Sequence, residues 1–98
     1  MTEKEKWIQE KKIEFAKDRR MHTLEELGLK PEYDPARKVG QASGYFVRAK
    51  DGTICDLSDE VMATGYIYLS PDYDTIEDRL EKGGRLGVGT HSWVSAEI

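Results

Sequence analysis

Asp51-Gly52 stands between two β-rich runs, Gly44–Lys50 and Thr53–Leu57, and constrains the fold more than any other feature of the chain. An Asp-Gly pair between such runs is the signature of a tight hairpin, because a type I′ turn needs positive φ at both central positions. A two-residue loop also dictates register. It predicts Val47, Ala49 and Ile54 on one face, with Phe46, Arg48, Cys55 and Leu57 on the other.

The hairpin heads a longer series of signals. Ser58-Asp59-Glu60 opens a short helix that Gly65 ends. Tyr66–Leu69 reads as a strand and Ser70–Tyr73 as a turn. Asp74-Thr75-Ile76-Glu77 resembles a capping box for a helix that Gly83-Gly84 stops near Lys82. From Leu86 to Ile98 apolar and small residues alternate, as in a long strand or a hairpin bending near Thr90-His91.

Upstream, residues 3–20 hold no Gly or Pro and are rich in Glu, Lys, Gln and Arg, which predicts a solvated helix. Trp7, Ile8, Phe15 and Ala16 form one narrow apolar stripe, with Ile13 pointing elsewhere. Thr23-Leu24-Glu25-Glu26 is a capping box stopped by Gly28. Pro31, Pro35, Gly40 and Ser43 then mark an irregular connector.

The expected fold is α+β: a small three- to four-stranded, mostly antiparallel sheet with one packed helix (Asp74–Lys82) and an N-terminal helical arm. Residues 1–43 are the arm and connector, and residues 44–98 the compact body, within one folding unit. The stripe is covered by this body or by another chain. On this reading, removing residues 1–20 leaves 44–98 folded and damages association.

Composition narrows the function classes. The 98 residues carry a net charge of −4. Residues 51–78 hold eight carboxylates, Asp51, Asp56, Asp59, Glu60, Asp72, Asp74, Glu77 and Asp78, and no Lys or Arg. Such a stretch repels a phosphate backbone, so nucleic acid is not the expected partner. The basic end of the arm, Lys11 to His22, is interleaved with Glu14 and Asp18, as on a solvated helix face. No apolar run reaches membrane-span length and no secretory signal is seen, so no membrane association and a cytoplasmic location are expected. One cysteine allows neither an internal disulfide nor a Cys-based zinc site.

No catalytic constellation emerges. Cys55 reads as a half-buried structural residue, since Asp56 beside it disfavours a thiolate. Gly83–Gly89 runs from helix to strand, the reverse of a phosphate loop. The carboxylates of 72–78 lack the calcium-loop pattern and suit a first helical turn instead. No metal, no cofactor and no enzyme activity are therefore expected.

What remains is contact surface. The expected function is a non-catalytic protein-binding module, adaptor or inhibitor, whose partner is a larger protein or complex with a basic surface. The residues assigned to docking are Trp7, Ile8, Phe15, Asp56, Asp59, Glu60, Tyr66, Tyr68, Asp72, Tyr73, Asp74 and Asp78. Small acidic domains of this type are common among accessory proteins, including those of phages and mobile elements. Two alternatives stand beside it: a structural subunit of a homo-oligomer, and a small-ligand or nucleotide-binding protein using Gly83–Gly89 with Arg85 and His91.

Overall fold

The computed structural model describes residues 2–91. Helix α1 (Glu3–Ala16) starts from a capping box: Thr2 accepts from the Glu5 backbone N–H, and the Glu5 carboxylate accepts from Thr2. It is four residues shorter than the sequence suggests. Strands β1 (Met21–Thr23) and β2 (Glu32–Tyr33) follow, then β3 (Ala42–Arg48) and β4 (Ile54–Ser58). Helix α2 (Asp59–Thr64), β5 (Tyr66–Tyr68), α3 (Ile76–Glu81) and β6 (Gly84–Leu86) complete the order.

The fold is α+β, with two sheets. The larger has the order β2-β3-β4-β6, antiparallel except for the parallel β4–β6 pair; β1 and β5 form a separate antiparallel ribbon. The connection from β4 to β6 carries α2, β5 and α3, which is the length a parallel crossover needs.

The hairpin differs from its expected form by one residue. Val47 pairs with Cys55, Phe46 with Asp56 and Arg48 with Ile54. Ala49 N–H donates to Thr53 O at 2.8 Å, so the loop is the three residues Lys50–Gly52. Gly52 has φ +91°, whereas no non-glycine residue among those described has positive φ. Asp51 therefore cannot occupy a type I′ turn, and only the glycine takes the left-handed position, as in a three-residue loop. A one-residue change of register carries a strand's side chains to the other face. Cys55 and Leu57 accordingly join Val47 and Ala49 in the core.

The opposite face is polar and closed by arginines. Phe46 lies beneath Arg37 and Arg48, whose guanidinium carbons stand 5.5 and 5.3 Å from the ring centroid. Arg37 makes two bonds to Asp56, at 2.7 and 3.1 Å, and Arg48 one to Glu32 at 2.9 Å. The ring is buried because cations cover it, with their stems adding apolar contact.

The caps form as their residues dictate. Ser58 accepts from Val61 N–H, and Gly65 ends α2 with φ +78°. Thr75 caps α3 by accepting from Asp78 N–H, one residue later than a box opened by Asp74 would. Helix α2 touches β3, β4, β5 and α1; α3, the helix expected across the sheet, reaches the core through Leu80. The alternation from Leu86 does not continue as a strand: β6 ends at Leu86 and Gly89–His91 is a 3-10 turn. Its remainder, 92–98, lies outside the described residues.

The apolar stripe of α1 is covered by the chain itself. Phe15 is 1% exposed, and Trp7, Phe15 and Met21 belong to one buried cluster with Val47, Leu57, Val61, Leu80 and Leu86. Strands β1 and β2 pair across the boundary placed at residue 43, with β5 and β3 respectively. Residues 2–43 are thus interleaved with the rest, and α1 is no projecting arm. Phe15 anchors the helix through edge-on contacts with Trp7, Tyr66 and His91.

Candidate functional site

The residues assigned to docking do not gather on one free face. Trp7 and Phe15 are core, with rings edge-on at 6.4 Å, and Ile8 packs against the same cluster. Tyr66 is half-buried, its ring edge-on to Phe15 at 5.7 Å. Glu60 is buried. Asp56 is held by Arg37. Tyr68 lies beneath Arg20 at 5.7 Å. Tyr73 accepts a 2.7 Å bond from Lys82 Nζ, with the Arg79 guanidinium over its ring. Asp72 accepts from Ser70 Oγ. Asp72, Asp74 and Asp78 are exposed and Asp59 half-exposed. The basic partners come from outside the 51–78 stretch, so its local excess of negative charge is partly compensated in space.

A different pair of aromatics faces outward. Tyr33 and Tyr45 are cross-strand partners of β2 and β3, their ring centroids 4.7 Å apart, and they are 53% and 37% exposed. Val39 nearby in the chain is 71% exposed. Strand β2 is an edge of the larger sheet. Gly44 makes this arrangement fit: at φ +90°, a Cβ there would stand 2.9 Å from the Tyr33 ring and 3.3 Å from Asp34 O. The β3–β4 register shifts between Ala42 and Phe46, and in that bulge Ser43 Oγ donates to Leu57 O while accepting from Tyr45 N–H. A glycine inside a strand pattern marks such a bulge or close approach. Gly44 was the signal in the sequence that could have singled out Tyr33 and Tyr45.

The groups with chemical potential are used structurally. Cys55 is fully buried, not half-buried; Sγ donates to Leu80 O at 3.2 Å, and burial pushes the thiol pKa up. His22 lies 3.7 Å from Glu26, and His91 3.7 Å from Glu14 with its ring on Phe15. Among the described residues no three His, Cys, Asp or Glu side chains could together hold a metal ion. No helix there is long and apolar enough to cross a membrane.

Gly83–Gly89 borders an open cleft of about 350 Å³ that Arg85 lines. His91 is not among its lining residues, so the two side chains paired in the ligand-binding alternative are not brought together there. Arg79 gives its guanidinium to Gly83 O and Arg85 O, both at 2.8 Å, and so secures the entry into β6. No protein-family model, no curated protein and no solved structure matches this chain.

Proposed function

We propose that this chain is a small non-catalytic protein-binding module, an adaptor or inhibitor of a larger protein, and that it docks through the Tyr33–Tyr45 edge of its main sheet. The observation that carries the reading is this exposed tyrosine pair, its rings in tilted contact, formed by the edge strand and its neighbour. Tyrosines bring large contact area at little entropy cost and are enriched at the energetic centres of interfaces. A net charge of −4, with the exposed carboxylates of Asp72, Asp74 and Asp78, favours a partner with a basic surface and a salt-sensitive association rate.

The test uses the full-length chain immobilised in lysate of its source organism, beside Tyr33→Ala/Tyr45→Ala. A protein retained by the wild type at low salt and lost with the double variant supports the reading. Equal retention by both, or none by either, overturns it. A concentration-dependent dimer abolished by the same substitutions would assign the surface to a second copy of the chain.

A further inference from the structure

Three charged residues line the cleft beside β6: Glu60, Arg79 and Arg85. Arg79 gives its guanidinium to Gly83 O and Arg85 O, while the side chains of Glu60 and Arg85 have no partner among the described residues. Glu60 is 3% exposed, yet no hydrogen bond or ion pair among the described residues reaches its carboxylate. Its oxygens keep some contact with water, since the one side-chain oxygen there both sealed and unpartnered is Glu77 Oε2. Glu60 lines the cleft. Arg85 lines it too and is exposed, with no side-chain partner among the described residues. Asp56, its cross-strand neighbour, is taken by Arg37.

A carboxylate so deeply placed costs free energy unless a cation compensates it. Among the described residues no cation is bonded to it, the guanidinium of Arg79 being committed to two backbone carbonyls. A lone cation entering the cleft would meet Arg85, and a lone anion would meet Glu60. A ligand carrying both signs satisfies both. Tyr68 and Tyr73 add aromatic wall, and the volume stands at the small end of the range of about 300–1,000 Å³ for small-molecule sites.

We propose that this cleft binds a small zwitterion of the amino-acid or short-peptide class, its ammonium at Glu60 and its carboxylate at Arg85. The site is independent of the tyrosine edge, and either can fail without the other.

The experiment titrates the full chain with the twenty free amino acids and glycylglycine, using ethylamine and acetate as single-charge controls. Amide NMR shifts and thermal unfolding are the readouts. At least one zwitterion should move the resonances of residues 58–60 and 84–89 and raise the melting temperature, with both controls weaker by tenfold or more. Glu60→Gln, which keeps the side chain's shape, should abolish the response. Arg85→Ala, at an exposed position, should weaken binding at least tenfold with the fold intact, and it decides the matter should Glu60→Gln misfold. No response to any zwitterion, or binding unchanged in Arg85→Ala, overturns the proposal.

Discussion

Val47 faces Cys55 directly across the β3–β4 ladder, and this one pairing turns Cys55 into the core. Had Arg48 stood there, the thiol would have shared the arginine-covered face with Phe46.

The burial has a chemical consequence. Cys55 should react with a thiol reagent only on unfolding, so labelling in native buffer should be slow and should accelerate with denaturant in step with the loss of structure. Burial raises the thiol's pKa above its ordinary 9.0. As pH climbs past 9.0 the unfolded chain releases the proton while the folded chain keeps it, so stability falls with rising pH there. Denaturant midpoints measured between pH 8 and 10 should decline, and Cys55→Ala should flatten that decline.

Phe15 should behave as a core residue of the whole unit. It meets Trp7, Tyr66 and His91 edge-on and is almost fully buried. Phe15→Ala should cost about 3–5 kcal/mol, read from chemical denaturation. Deleting residues 1–20 should abolish cooperative melting, opposite to the outcome expected of a detachable arm. A truncated chain with an unchanged melting transition would contradict this.

Gly44 is the glycine whose replacement should matter for the tyrosine edge. Gly44→Ala forces positive φ on an alanine and pushes a methyl against Tyr33. A loss of about 1–3 kcal/mol is expected, with changed near-ultraviolet circular dichroism as the tyrosine pair shifts. Gly28→Ala, where a Cβ meets nothing within 4 Å, should leave that aromatic signal alone.

Acid should loosen the start of α1. The Thr2 backbone N–H and hydroxyl hold the Glu5 carboxyl below its ordinary 4.5, so its contribution is present above that pH and is lost as pH falls through the lowered value. Amide protection factors at residues 3–6, which correct for the intrinsic pH dependence of exchange, should fall below pH 4.5, and Glu5→Gln should remove most of that fall. Protection factors that stay flat to pH 3 in the wild type would deny the cap any role.

What the sequence determined by itself was the short-range structure. The Thr23–Glu26 box, the Ser58 cap and the Gly65 stop each depend on groups within a few positions of one another, and all are present. The α+β class followed from the order of such signals, whereas the parallel pairing of β4 with β6 did not. Tertiary structure decided whatever depends on distant partners. Two-residue strands such as β2 have no periodicity to read, and they exist because β3 supplies the hydrogen bonds. The hairpin register turned on a single residue, because Lys50 could serve as strand or as loop. The acidic stretch looked unopposed only along the chain, since Arg37 reaches Asp56 across 19 positions. The charges of the cleft could not be seen in advance either: Glu60 and Arg85 are 25 residues apart, and only the crossover from β4 to β6 brings them to one cavity.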